Sequence, residues 1–128
     1  WRRMFSEIPS ENFGLNYDPS HPLLLRFDPY QPLRDFRGKL VHIHAKDIRL
    51  DQTACYEWGI MGLPKLYHTP RIPGFGELDW GKFIGTLMEV RYDGPVCIEV
   101  EDPTFGKDLE GRKNAIRVAR NVLKPYFP

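Results

Sequence analysis

Three stretches of the chain alternate apolar and polar residues, and stripes of helical period lie between them. Phe13, Leu15 and Tyr17 alternate with Gly14, Asn16 and Asp18; Val41, Ile43 and Ala45 with His42, His44 and Lys46; Val96, Ile98 and Val100 with Cys97 and Glu99. Period two marks a strand with one buried face. Strands are therefore predicted over residues 12–18, 40–45 and 96–100, the first stopped by Pro19. Trp1, Met4, Phe5 and Ile8 fall at helical spacing, and Pro9 ends that helix. Asp79 caps a second helix whose stripe is Trp80, Phe83, Ile84, Leu87 and Met88. A third runs over 109–123, with Ile116, Ala119, Val122 and Leu123 on one face, Lys and Arg on the other, and Pro125 beyond. Residues 22–32 read as a loop leading into a short helix near 30–36. Residues 48–77 hold several Gly and Pro and no sustained period, so they read as one long connection. Its aromatics and their neighbours (Tyr56, Trp58, Tyr67, Phe75, Trp80) are expected to pack on something.

Strands separated by helices point to parallel β/α units in a single unit spanning 1–128. In each strand the residues opposite the bulky face are small or polar. Each such face ends in a candidate ligand at or near the C-terminal end: Asp18, His44 and Glu99. Singly, each has a plain structural reading: a turn residue before proline, a hydrogen-bonded strand histidine, an ion-pair partner for lysine. Together and in phase they mean more, because parallel strands deliver their C-terminal ends to one rim. One imidazole with two carboxylates suits a divalent metal, Mn²⁺ first, with Mg²⁺, Co²⁺, Fe²⁺ or Zn²⁺ as the other candidates.

Composition narrows the partners. The 128 residues are 41% hydrophobic and 13% aromatic with a formal net charge of +1, enough for a sizeable core. Near-neutral charge with scattered Lys and Arg argues against nucleic acid or an anionic membrane as partner. Cys55 and Cys97 make no disulfide framework and no metal-type spacing, so a reducing, cytoplasmic setting is expected. No stretch approaches the roughly 18 apolar residues of a membrane span, and Trp1-Arg2-Arg3 does not open a signal peptide.

Four segments carry a resemblance: Asn16-Tyr17-Asp18-Pro19-Ser20-His21, His42-Ile43-His44-Ala45-Lys46-Asp47, the run from Arg71 to Trp80, and the run from Tyr92 to Asp102. In this order they resemble the C-terminal part of the sugar isomerase/epimerase family with a xylose-isomerase-like TIM barrel. The resemblance implies about three β/α units of a (β/α)8 barrel, with these strands as its sixth, seventh and eighth. It implies that Asp18, His44 and Glu99 are metal ligands and that Glu99 is also a catalytic acid/base. His21 and Arg71 would bind substrate oxygens, and Lys46 and Asp47 would touch the substrate or order the loop. Glu101 and Asp102 would support the site from behind or belong to the loop. The activity implied is isomerisation or epimerisation of a sugar or keto-sugar through an ene-diolate. A TIM barrel takes about 250 residues. On this reading the fourth ligand, a glutamate that is also the second acid/base group, lies upstream of Trp1. The wall is then completed by the missing N-terminal part, or by a homo-oligomer, and the chain alone is expected to be inactive.

Three rivals differ in chemistry. A lyase or dehydratase of the same family, acting on a keto-sugar, keto-inositol or 3-keto-glycoside, would use the same ligands and expel a leaving group. A DNA-repair endonuclease on the related barrel fits Asp18 and His21, but no Asp-x-His precedes Gly74 and the charge is not basic. A non-catalytic relative is disfavoured by the presence of all three ligand types.

Overall fold

The alternation seen in the sequence does form strands, and they pair in parallel. The computed structural model describes residues 1–127. Its principal sheet has β1 (Leu15–Tyr17), β2 (Leu40–Ala45) and β5 (Val96–Ile98) in the order β1-β2-β5, both pairings parallel. Helices α1 (Arg2–Glu7), α2 (Ser20–Leu24), α3 (Gln31–Asp35), α5 (Trp80–Glu89) and α6 (Leu109–Leu123) precede, link and follow these strands. Register sets Asn16 beside His42, Tyr17 beside Ile43, His44 beside Cys97 and Ala45 beside Ile98. One face of the sheet is thereby sorted from the other. Tyr17, Ile43 and Ala45 are fully buried and cluster with Leu33, Trp80, Phe83, Ile84, Leu87 and Leu123. Asn16 and Cys97 on the opposite face are exposed, and His42 and His44 half-buried.

The strands are shorter than the pattern predicts. Asp18 leaves the ladder because its Oδ1 accepts the Ser20 N–H at 2.8 Å and Pro19 has no N–H to continue it. Val41, Met88 and Ile116, all assigned to apolar faces, are exposed; in α6 the buried residues are Ala115, Ala119 and Leu123. In α1 Phe5 packs on the core and Met4 is exposed; of the flanking stripe residues Ile8 is exposed, while Trp1, itself partly exposed, sets its ring edge-on to Tyr17 and Phe36.

The stretch 48–77 is not a featureless connection. Strand β3 (Asp47–Leu50) starts one residue after β2 and pairs antiparallel with β4 (His68–Arg71), and α4 (Gln52–Trp58) lies between them. Asp51 caps α4 by accepting the Ala54 N–H at 3.0 Å. Ile48, Leu50 and Tyr67 form a small core of their own. The hairpin escaped the sequence reading because β4 reads His-Thr-Pro-Arg, half-buried throughout and with no apolar alternation. Of the aromatics expected to pack, Tyr67 and Trp80 do, whereas Tyr56 and Trp58 are exposed. A short helix, α2, also occupies the start of the stretch read as loop.

One buried carboxylate organises the return from β4 to α5. Asp47 is wholly enclosed; its Oδ1 accepts the N–H of Ile48 (2.9 Å) and Leu78 (3.0 Å), and its Oδ2 that of Gly74 (3.3 Å) and the Trp80 indole (3.0 Å). Glycine is needed at two points of this wrap. Gly74 has φ +86, and a Cβ on Gly76 would lie 2.1 Å from Asp47 Oδ1.

Candidate metal centre

Parallel strands bring three carriers of ligand atoms to one rim, and local turns aim them. Asp18 ends β1 in an Asx turn, Oδ1 spent on the Ser20 N–H and Oδ2 free. The same turn starts α2 and brings His21 Nε2 to 3.4 Å from Asp18 Oδ2. His44 lies on β2 with Nδ1 at 3.9 Å from Asp18 Oδ2 and 2.8 Å from Glu99 Oε2. Glu99 follows β5, where its own N–H extends the ladder to the Ala45 carbonyl at 3.2 Å.

The donor set fits a cation. Ligand atoms of Asp18, His44 and Glu99 all lie within 4.8 Å of one another. Asp18 Oδ2 and Glu99 Oε2 are buried without any hydrogen-bond partner. The 2.8 Å approach of Glu99 Oε2 to His44 Nδ1 lacks hydrogen-bond alignment, so it leaves that oxygen unsatisfied. Neighbouring ligands of an octahedral ion, at bonds of about 2.1 Å, sit roughly 3 Å apart. The Glu99–His44 separation of 2.8 Å already matches this and the Asp18–His44 separation of 3.9 Å is wider; two orphaned carboxylate oxygens and an imidazole nitrogen gathered within 4.8 Å are costly unless a cation lies between them.

Lys46 closes the back of this cluster. It is buried, with Nζ 3.8 Å from Asp18 Oδ2, 3.5 Å from Glu99 Oε1, and in contact with Glu101. Burial pulls its pKa down, but the Glu101 hydrogen bond and the charges of Asp18, Glu99 and Glu101 outweigh this and raise it. The ammonium therefore stays charged. Beneath the site the Tyr17 hydroxyl donates to the Pro29 carbonyl at 2.6 Å, and burial, reinforced by Asp28 and Asp18, holds its pKa far above the usual phenol value.

The structure thus gathers Asp18, His21, His44, Lys46 and Glu99, while Arg71 and Asp47 belong to hydrogen-bond networks of their own. Register places Arg71 opposite Asp47 across the hairpin. The Arg71 Nη1 donates to Asp102 Oδ1 (3.2 Å) and Thr104 Oγ1 (2.8 Å), and Asp102 is itself fully buried, accepting the N–H of Ile72 and Thr104. Of the two roles open for Asp47, ordering the loop is the one its burial and hydrogen bonds favour, since both oxygens serve the loop. The sequence marks Asn16 as a polar residue on the strand's open face and as the start of a segment that carries the resemblance, and gives it no role; its Nδ2 lies 3.3 Å from His44 Nε2. Its period-two phase with Asp18 was the available signal.

Residues 1–126 match the family model described as Xylose isomerase-like TIM barrel. The chain belongs to this family. Its three parallel β/α units are part of a xylose isomerase-like barrel, as the resemblance implied. Among curated relatives it is 29% identical over 119 residues to the uncharacterized protein YfiH of Bacillus subtilis (strain 168), covering 87% of this chain and 36% of that protein. It is 30% identical over 99 residues to the inosose dehydratase of Clostridium tetani (strain Massachusetts / E88), covering 75% and 33%. A crystal structure of a xylose isomerase domain protein from Planctomyces limnophilus superposes with a TM-score of 0.71 at 24% identity, covering 98% of this chain and 43% of that one, and shares the fold. The xylose isomerase-like chain spans about a third of the length of the curated relatives it matches. Among the described residues no helix is long and apolar enough to cross a membrane.

Proposed function

We propose that the chain supplies part of the active site of a divalent-metal-dependent enzyme acting on a sugar or a related keto-polyol, shifting a proton on a carbon beside a carbonyl. The observation that carries this is the pair of orphaned oxygens, Asp18 Oδ2 and Glu99 Oε2, facing His44 Nδ1. Asp18, His44 and Glu99 would hold the cation, Mn²⁺ first among the candidates. Bound there, it would act as a Lewis acid on the substrate's carbonyl and hydroxyl oxygens and stabilise ene-diolate charge. Glu99 is the carboxylate that takes or returns the proton, worth roughly 10²–10⁴-fold. Lys46 holds Glu99 Oε1 and Asp18 Oδ2 from behind and fixes their direction. His21 is largely exposed, so its ring is free to hydrogen-bond a substrate oxygen beside Asp18. Arg71, steadied by Asp102 and Thr104, binds a further oxygen.

Two outcomes share this proton abstraction. Return of the proton to the neighbouring carbon, or to the opposite face of the same carbon, gives an isomerase or epimerase. Departure of a β-hydroxyl as water gives a dehydratase, and the relative named inosose dehydratase favours that second reading. Incubation of the barrel-complete enzyme with keto-sugars or keto-inositols in D₂O separates them. Isomerisation or epimerisation conserves mass apart from exchanged deuterium, whereas dehydration removes one water and creates a conjugated ultraviolet-absorbing product. Activity unaffected by EDTA would remove the metal reading altogether.

A further inference from the structure

We propose that Asn16 is a positioning residue of the cation site, its side-chain amide holding His44 in the tautomer that carries its proton on Nε2 and leaves Nδ1 free to face Asp18 and Glu99. The inference rests on the cation reading of Asp18, His44 and Glu99 and adds a residue to it.

His44 presents one nitrogen to each of two surroundings. Nδ1 faces the carboxylates, 2.8 Å from Glu99 Oε2 and 3.9 Å from Asp18 Oδ2. Nε2 faces away from them, 3.3 Å from the Asn16 side-chain amide. A nitrogen that ligates a cation gives up its lone pair and carries no proton, so the proton of the neutral ring must sit on the other nitrogen. That Nε2–H then needs an acceptor. Among the described residues the side-chain amide of Asn16 is the hydrogen-bond partner found at Nε2. Rotating the amide by half a turn exchanges its NH₂ for its carbonyl oxygen in nearly the same place. Asn16 therefore donates to Nε2 when Nδ1 is protonated against Glu99, and accepts from Nε2–H when Nδ1 turns to a cation. A carboxylate at this position accepts only, and an aliphatic side chain does neither.

The strand geometry holds the partnership in place. Asn16 lies on β1 two residues before Asp18, which leaves the ladder just past the strand's end, and both reach the His44 ring, Asn16 Nδ2 at 3.3 Å from Nε2 and Asp18 Oδ2 at 3.9 Å from Nδ1. Parallel register pairs Asn16 with His42, which puts His44 one pleat further along β2. The His42 ring packs edge-on against that of His44, with centroids 5.4 Å apart, and limits its rotation on the other side. One strand thus supplies a ligand, Asp18, together with the group that orients the ligand on its neighbour.

The test compares Zn²⁺ and Mn²⁺ binding to the barrel-complete enzyme and to its Asn16→Leu and Asn16→Asp variants, by calorimetry, with long-range ¹H–¹⁵N correlation spectra of the Zn²⁺-loaded protein. Asn16→Leu, matched in charge and close in size, is expected to weaken cation binding roughly 10–100-fold. Asn16→Asp, which restores an acceptor, is expected to bind at least as tightly as the native chain. The loaded spectrum should show the His44 proton on Nε2. Native-like affinity in Asn16→Leu, equal losses in both variants, or a proton on Nδ1 would overturn the assignment. A barrel-complete native enzyme that binds neither ion would instead sink the cation reading and take this inference with it, so the two failures are distinguishable.

Discussion

Replacing Asp47 by asparagine changes one oxygen to an NH₂ group and alters little else in size, so its effect isolates what the buried carboxylate does. Each oxygen accepts two N–H donors: Ile48 and Leu78 on Oδ1, Gly74 and the Trp80 indole on Oδ2. The amide keeps one of these pairs and turns its own NH₂ toward the other. Two hydrogen bonds to a charged acceptor are lost and two donors are left facing a donor. At about 1.5–3 kcal/mol for each bond to a charged group, the cost is roughly 3–6 kcal/mol. For a domain of this size that corresponds to a fall in Tm on the order of 10–20 °C. Urea titration followed by circular dichroism measures it. A loss below about 1 kcal/mol would show that the β4–α5 return does not depend on Asp47. Should the variant fail to fold at all, amide exchange in the native chain supplies the check: the Gly74 and Leu78 amides and the Trp80 indole should be protected, and rapid exchange at all three would refute the argument equally.

Glu99→Gln in the barrel-complete enzyme should lower turnover by at least about 10²-fold, since on the proposed mechanism it removes both the proton acceptor and a charged ligand; full turnover in a steady-state assay would end the acid/base assignment. EDTA should abolish activity and added Mn²⁺ or Co²⁺ restore it, read from the same assay after dialysis. Arg71→Ala should raise KM more than it lowers kcat, and Asp102→Asn should reproduce part of that rise by loosening the guanidinium; unchanged substrate affinity in both would take Arg71 out of the pocket wall. Gly76→Ala forces a methyl to 2.1 Å from Asp47 Oδ1 and 2.3 Å from the Ile48 carbonyl. It is expected to cost roughly 1–3 kcal/mol or more in urea titration.

What could be read from the chain divides along physical lines. Strands β1, β2 and β5 announced themselves because one side of each is buried beneath helices and the other is not, so burial wrote period two into the residues. The α5 stripe was equally plain, with Asp79 accepting the Lys82 N–H at its start. Parallel pairing then carried Asp18, His44 and Glu99 to one rim without further information. The β3–β4 hairpin was invisible because its return strand is half-buried on both sides and includes Pro70, which leaves neither alternation nor high strand propensity to detect. Asp47 was assigned to the mouth of the site by its place after Lys46. Only the packing shows that the chain bends there and folds its carboxylate inward. Asn16 illustrates a third limit: period two states which face a side chain shares, but not which nitrogen of a neighbouring ring it meets.

The Lys46 ammonium has an electrostatic corollary. Asp18, Glu99 and Glu101 surround it with three carboxylates, leaving two negative charges uncompensated. A dication held there would cancel those two, before any ligand from the rest of the barrel is counted. Without the ammonium the same carboxylates would present three negative charges, one more than a dication cancels.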